Sequence, residues 1–186
     1  MADTQQCQSC RFCCRFETSE AHYAPLFTGE EVERVRSTGL GLDVFNPHGC
    51  SANLSQVALQ ASAVASETML VCPFLDEATH RCRIYEIRPF DCRIWPFILM
   101  LDEGRDRILV AHFAKDLCPI TRDMGQEDFA RHLRGHPENG TAPEQLAEFV
   151  RRYPGFPAEY EAEAFVVSEL TVRLPRRHLS STPSLK

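Results

Sequence analysis

Four cysteines lie within eight residues near the start of the given sequence, at Cys7, Cys10, Cys13 and Cys14. A C-x2-C pair spans one tight turn and directs both sulfurs to one side, so these thiols can converge without help from the rest of the fold. The spacing is typical of zinc sites and, when extended to C-x2-C-x2-C, of iron–sulfur sites. The stretch therefore predicts a metal site.

A second set of four cysteines follows at Cys72, Cys82, Cys92 and Cys118. Cysteines that only fill a hydrophobic core have no reason to occur at such spacing, so all eight are predicted metal ligands. Their division between one centre and two stays open. One division builds a single four-cysteine centre from both segments and leaves the other thiols structural or in a second site.

Iron–sulfur and zinc make different demands on ligand spacing. A zinc ribbon joins two C-x2-C knuckles, and the sequence has one clear knuckle. The run C-x2-C-x2-C with a remote cysteine before proline is the ferredoxin-like arrangement, and both Cys72-Pro73 and Cys118-Pro119 offer that remote ligand. The sequence favours an iron–sulfur cluster of the 4Fe-4S type, with zinc as the alternative.

Four arginines interleave the second set of cysteines, and cations near thiols lower their pKa and offset the charge of a thiolate site. Arg88 and Arg93 flank Cys92 in a segment that Pro89 and Pro96 stiffen, and these two arginines are the predicted supporting residues around the cofactor. One or two of the four arginines, Arg81, Arg83, Arg88 and Arg93, could instead lie in a surface turn.

Two further donors stand outside the four-plus-four scheme. Cys50 is interpreted as a small buried hydrophobe, although His48 and Cys50 could place two donors on one loop. His80 lies two residues before Cys82 and could complete a site of three cysteines and one histidine. A histidine in a polar turn more commonly faces solvent.

The ordered segments CxxCxxCC, C-P-F-L, C-R-I-Y-E-I-R-P, D-C-R-I-W-P and C-P resemble the YkgJ-type cysteine-cluster family of zinc- or iron-chelating domains. The resemblance covers residues 7 to about 119. One departure is that Arg11 and Phe12 stand where many members of the family carry a small residue, often glycine. The resemblance implies metal chelation by the cysteines.

The resemblance also leaves other functions open. Longer relatives include flagellin lysine N-methylases, so a cluster-dependent modifying enzyme is one alternative, although the sequence has no recognisable S-adenosylmethionine site. A metal chaperone or storage protein is another, and it requires an exposed, exchangeable site. A protein partner or substrate is compatible with each of these functions.

The composition of the chain bears on nucleic-acid and membrane binding and on the cellular compartment. The chain of 186 residues has a net charge of −6, and no basic stripe suggests binding to nucleic acid. No stretch approaches the length of an apolar membrane span, and the first residues lack the features of a signal peptide. We therefore expect a cytoplasmic protein whose nine cysteines are kept reduced.

The predicted fold class is α+β, with a small irregular cysteine-rich metal-binding core, a β-hairpin and a helical C-terminal extension. The predicted divisions are a cysteine-cluster domain over 1–120, a helical extension packed on it over 121–174, and a flexible tail over 175–186. The hairpin pairs the apolar runs 94–101 and 108–113, which places Cys92 and Cys118 at one open end.

Helix signals are found on both sides of the hairpin. Thr28 and Glu31 have capping-box spacing and Gly39 supplies a left-handed stop, which predicts a helix after Thr28. Residues 41–55 have the composition of a loop, and 54–71 fits either a helical face or a short strand near its end. In the extension, Thr141 and Glu144 predict a helix that Pro154 ends, and a further helix is predicted over about 157–170.

Overall fold

The computed structural model describes residues 13–41, 43–49, 51, 53–64, 69–104, 107–112, 142–162, 164–170 and 172. Four small antiparallel sheets and three α-helices are found within these ranges, consistent with the predicted α+β class. The predicted boundary at residue 120, the residues 129–133 and the tail 175–186 lie outside the described residues. The division into domains therefore stays a prediction.

The first half of the chain is built from short strands and one helix. Its strands are β1 (Arg15–Glu17), β2 (Leu26–Thr28), β3 (Phe45–Pro47), β4 (Leu54–Val57), β5 (Gln60–Ala61) and β6 (Met69–Val71). They form two sheets, ordered β1-β6-β5 and β2-β4-β3. A 3-10 helix, Thr18–Tyr23, connects β1 to β2.

Helix α1 (Gly29–Arg36) begins as the sequence predicts. The Thr28 hydroxyl accepts from the backbone N–H of Glu31 at 3.3 Å, and the Glu31 carboxylate accepts from the backbone N–H of Thr28 at 2.9 Å. Gly39 follows with a φ of 79°, the left-handed conformation that favours glycine after a helix.

Two expectations for the middle of the chain were wrong in part. Residues 41–55 include strand β3, because Phe45 pairs with Val57 of β4. Of residues 54–71, the helical alternative was wrong and the short strand at the end is confirmed, because β4 lies between β2 and β3 while β6 lies between β1 and β5. Backbone pairing across the sheets outweighs the weak helical periodicity of this stretch.

After β6 the chain continues with the elements β7 (Leu75–Asp76), β8 (Arg81–Cys82), α2 (Phe90–Ile94), β9 (Phe97–Leu101), β10 (Ile108–His112), α3 (Pro143–Arg152) and β11 (Phe165–Leu170). The predicted hairpin is confirmed as β9 paired with β10, with Leu101 opposite Ile108. Its first strand begins at Phe97 rather than at Ile94, because Ile94 ends α2. Cys118 lies outside the described residues.

The helix predicted over 157–170 was wrong, because β11 pairs antiparallel with β10 and completes the sheet β11-β10-β9. At the other edge of this sheet, which is strand β9, the Ala158 N–H donates to the Leu99 carbonyl and the Leu101 N–H donates to the Ala158 carbonyl, both at 2.9 Å. The extension therefore adds a strand to one edge and backbone hydrogen bonds to the other.

Helix α3 forms as predicted but begins differently. Its N-cap is Ala142, and the box partner is Gln145, whose amide oxygen accepts from the Ala142 N–H at 3.3 Å. The predicted partner Glu144 was therefore wrong, and Thr141 lies outside the described residues. The helix buries one face against the sheet, where Leu146 and Val150 lie in the core.

The buried side chains form two principal clusters. The sheet cluster joins β9, β10, α3 and the end of α2, and it includes Ile94, Leu99, Ile108, Leu146 and Val150. The cysteine-side cluster includes Phe27, Val35, Cys72, Phe74 and Ile84, with Cys14 and Cys82 packed against it. Gly41 has a φ of 68°, and a Cβ there would lie 2.9 Å from the Phe74 ring, so this contact requires glycine.

No helix in the described part of the chain combines the length and apolar character that crossing a bilayer requires.

Candidate metal centre

Backbone pairing brings the first and second cysteine segments together. Strand β1 follows directly after Cys14, and β6 ends directly before Cys72. The two strands pair antiparallel with Arg15 opposite Val71, and the Cys72 N–H donates to the Cys14 carbonyl at 3.0 Å. A sequence separation of 58 residues between Cys14 and Cys72 thus becomes direct backbone contact.

A two-stranded hairpin then returns Cys82 towards Cys72. Leu75 of β7 lies opposite Cys82 of β8, and the Leu75 N–H donates to the Cys72 carbonyl at 2.9 Å. The turn is held by Asp76, whose carboxylate accepts from the backbone N–H groups of Ala78 and Thr79 at 3.0 and 3.1 Å. The hairpin thus returns the chain from Cys72 to Cys82 within ten residues.

Helix α2 supplies Cys92. Its N-cap is Pro89, whose side chain has no hydrogen-bonding group, and the helix has no cap from its own N-terminal residue. The Glu31 carboxylate of α1 takes that place, since it accepts from the Phe90 N–H at 2.7 Å. The Asp91 carboxylate accepts from the Leu26 N–H of β2 at 2.9 Å, which fastens the same helix a second time.

The five described cysteines, Cys13, Cys14, Cys72, Cys82 and Cys92, are free thiols. The Sγ atoms of Cys13 and Cys14 are 4.0 Å apart. The thiols of Cys13, Cys72 and Cys82 each act electrostatically on the pKa of Cys92, so the segments bring their sulfurs into one electrostatic neighbourhood. The structure thereby gathers five of the eight predicted ligands into one region.

Burial and mutual repulsion make these thiols difficult to ionise. The Cys72 side chain is 6% exposed, and burial raises its pKa to about 12. Burial also raises the pKa of Cys82 and, together with the Asp91 charge, that of Cys92. For Cys13, the hydrogen bond with Cys14 raises the pKa first and burial raises it further. Without a positive ion, the region therefore favours neutral thiols over thiolates.

Two arginines, Arg83 and Arg88, lower the pKa values of these thiols and so oppose the effect of burial. The charge of Arg88 lowers the pKa of both Cys13 and Cys82, and Arg83 lowers that of Cys72 and Cys82. The Arg88 guanidinium lies 4.0 Å above the Tyr85 ring, and Arg83 donates to the Pro73 carbonyl. Both cations therefore lie where they could offset the negative charge of a thiolate site.

Arg93 faces a different group. Its guanidinium is 3.8 Å from the Glu31 carboxylate and 5.6 Å from the centre of the Phe90 ring. The Arg93 side chain is 36% exposed. Its contacts therefore connect α2 to α1, alongside the hydrogen bond from Phe90 to Glu31.

Among the described residues, no group of three or more histidine, cysteine or acidic side chains has the arrangement of a formed metal site. Cys7, Cys10 and Cys118 lie outside the described residues, as does Cys50. The chemistry of the donor set nevertheless fits a thiophilic centre. Around tetrahedral zinc with Zn–S bonds of about 2.3 Å, two sulfurs lie roughly 3.8 Å apart, close to the Cys13–Cys14 separation.

A comparison with protein families decides what this chain is. The model of the CxxCxxCC family, described as "putative zinc- or iron-chelating domain", matches residues 6–119. The chain belongs to the CxxCxxCC family. The match includes all eight cysteines that the sequence analysis singled out as ligands, and it supports metal binding without choosing between zinc and iron.

One relative of this CxxCxxCC protein is an uncharacterized protein, MJ0661, of Methanocaldococcus jannaschii. It is 30% identical over 98 residues, which cover 50% of this chain and 46% of the relative. The chain thus spans under half of that protein's length. No solved structure matches the chain.

The structure also reveals partners that the sequence analysis did not connect to the site. The Nδ1 atom of His80 accepts a hydrogen bond from the Arg15 guanidinium at 3.4 Å. One of the two ring nitrogens of His80 therefore has a protein partner. Glu31 was interpreted only as a helix-capping residue, and Asp91 received no role. The capping-box pattern could signal Glu31, but nothing in the sequence signals its contact with a residue 59 positions away.

Proposed function

We propose that this protein binds an iron–sulfur cluster through cysteine thiolates, with a single zinc ion as the alternative centre. The observation that supports thiolate binding is the convergence of Cys13, Cys14, Cys72, Cys82 and Cys92 from four separate chain segments. Buried thiols with raised pKa values ionise readily only when a metal ion supplies the positive charge.

The choice of iron–sulfur rests on ligand spacing. The run C-x2-C-x2-C and the remote Cys-Pro pairs are the arrangement found in ferredoxin-like cluster proteins. Such a centre would supply electron transfer or radical chemistry when bound. The protein residues would supply thiolate ligands, and Arg83 and Arg88 would offset the net negative charge.

One observation favours zinc, namely the 4.0 Å separation of the Cys13 and Cys14 sulfurs. Two thiolates at that distance can share a single tetrahedral ion. In that case we expect a structural role for the metal, because a zinc ion with four protein thiolates leaves no position open for substrate.

The burial of the thiols supports a resident centre over a chaperone or storage site. Cys72 is buried in the cysteine-side cluster, and its backbone is tied to Cys14. A metal held there can leave only when the surrounding structure opens, which predicts slow transfer to a chelator. Transfer within minutes would instead support an exchangeable, chaperone-like site.

The experiment is purification of the full chain without oxygen, followed by metal analysis, acid-labile sulfide assay and absorption spectroscopy on one sample. Iron and sulfide in equal amounts, with visible absorption that bleaches on reduction, support the cluster. Zinc in a colourless sample supports the alternative. A chain that retains neither metal contradicts the proposed function.

Cysteine variants test the ligand assignment. We expect Cys82→Ser and Cys92→Ser to lower the bound metal per chain, because serine does not replace a thiolate in such a site. Cys50→Ser is the matched control, since the four-plus-four scheme leaves Cys50 without a ligand role. Equal metal content in all three variants would contradict the assignment of Cys82 and Cys92.

A further inference from the structure

The helix that carries Cys92 is attached to its neighbours by two carboxylates that are not predicted ligands, one on α1 and one on the helix itself. Glu31 is only 5% exposed, and its carboxylate accepts from the N–H groups of Thr28 and Phe90 at 2.9 and 2.7 Å. One buried side chain therefore closes the capping box of α1 and also caps α2.

The second carboxylate makes the reciprocal connection. Asp91 belongs to α2 and accepts from the Leu26 N–H of β2 at 2.9 Å. Leu26 and Glu31 lie in adjacent elements, so α2 is attached to the β2–α1 unit in both directions. The approach of Arg93 to Glu31 adds a third contact between the same elements.

These contacts determine where the Cys92 thiol lies. Helix α2 has only five residues, so its own backbone hydrogen bonds hold it weakly. Its first residue, Phe90, is bound to Glu31, and Asp91 lies directly before Cys92. Loss of the Glu31 carboxylate leaves a buried backbone N–H without its acceptor, and loss of the Asp91 carboxylate does the same to a partly buried one, so the helix can turn or shift and Cys92 moves with it.

We propose that Glu31 and Asp91 are positioning residues for Cys92, fixing its thiol within the metal centre without binding the metal. The proposal rests on the proposed function and adds the residues that control one ligand. It makes the centre dependent on β2 and α1, which contribute no cysteine of their own.

The test compares Glu31→Ala with two matched variants in the full chain, purified without oxygen, because alanine removes both acceptor oxygens whereas glutamine would keep one. Thr28→Ala removes the other half of the same capping box and leaves the bond from Phe90 to Glu31 in place. Glu33→Ala removes an exposed carboxylate of α1 that pairs with Arg36. Two quantities are measured: bound metal per chain with its rate of loss to a chelator, and the rate of iodoacetamide modification at Cys92 by peptide mass spectrometry.

We expect Glu31→Ala to speed metal loss by about 10- to 100-fold, the size of effect seen when residues that orient metal ligands are removed. We also expect Glu31→Ala to speed the modification of Cys92 more than that of Cys72. Thr28→Ala and Glu33→Ala should leave both rates near those of the unaltered chain. If Glu31→Ala does not fold, Asp91→Ala carries the same expectation through the contact with Leu26.

Equal rates for Glu31→Ala and Glu33→Ala would overturn the positioning role, as would equal acceleration by Thr28→Ala. Failure of the proposed function gives a different result, because the unaltered chain would then hold no metal. The modification rate at Cys92 still reports in that case whether Glu31 holds the helix.

Discussion

Cys72 combines the strongest burial among the five described thiols with direct attachment to the segment of Cys14. Its pKa of about 12 means that the folded chain keeps this thiol protonated at neutral pH. A metal must therefore displace its proton, so we interpret the region as a site whose affinity rises with pH.

This shifted pKa predicts an alkaline loss of stability in the reduced, metal-free chain. An unfolded cysteine ionises near its usual pKa of 9.0, whereas Cys72 in the folded chain stays neutral up to about 12. Below pH 9.0 the neutral Cys72 thiol does not reduce the free energy of unfolding. Between pH 9.0 and about 12 the free energy of unfolding decreases by about 1.4 kcal/mol per pH unit, because only the unfolded chain loses this proton.

Urea unfolding of the unaltered chain and of Cys72→Ala over this pH range measures the difference. We expect a shallower decline for Cys72→Ala, because the thiol that titrates is gone while tyrosine, lysine and the other cysteines remain. Parallel curves for the two proteins would contradict the raised pKa of Cys72.

At the scale of elements, the C-terminal extension helps to build the core. Strand β11 pairs with β10, and α3 places Leu146 and Val150 in the sheet cluster together with Ile94 of α2. The same cluster therefore supports the hairpin, the extension and the helix that carries Cys92.

We predict that Leu146→Ala lowers the free energy of unfolding by about 2–5 kcal/mol, because Leu146 is 1% exposed and its loss leaves a cavity. Glu148→Ala is the control on the exposed face of α3, and we expect a change below about 0.5 kcal/mol. Denaturant unfolding of the full chain measures both. Similar values for the two variants would contradict the packing of α3 against the sheet.

At the scale of the whole molecule, the cysteines and the larger sheet belong to different clusters. Cys72 lies in the cysteine-side cluster, with Cys14 and Cys82 packed against it, whereas β9 and β10 belong to the sheet cluster. A metal that crosslinks the cysteine segments should stabilise the cysteine-side cluster more than the sheet cluster.

Metal removal is therefore predicted to act unevenly. After treatment with a chelator, amide hydrogen exchange should accelerate in residues 69–92 and around Cys14, while β9 and β10 keep most of their protection. Exchange followed by mass spectrometry gives both regions in one sample. Uniform acceleration through both regions would show that the metal stabilises the chain as a single unit.

Local patterns predicted several elements correctly. The capping box at Thr28 and Glu31 and the glycine at Gly39 identified α1, and the two apolar runs identified the hairpin of β9 and β10. Strand β11 was missed because its pairing with β10 depends on a partner more than fifty residues away. Helical periodicity in 157–170 could not report that contact.

Closely spaced cysteines were enough to predict the family and metal chelation, because the spacing that carries this information spans only a few residues at a time. Which segments meet depends on the folded chain. Antiparallel pairing of β1 with β6 brought Cys14 to Cys72, and the carboxylates of Glu31 and Asp91 fixed the helix of Cys92. Each of these contacts satisfies a backbone N–H or C=O with a group that is distant in the sequence, so it depends on the path of the chain and no local pattern of residues reports it.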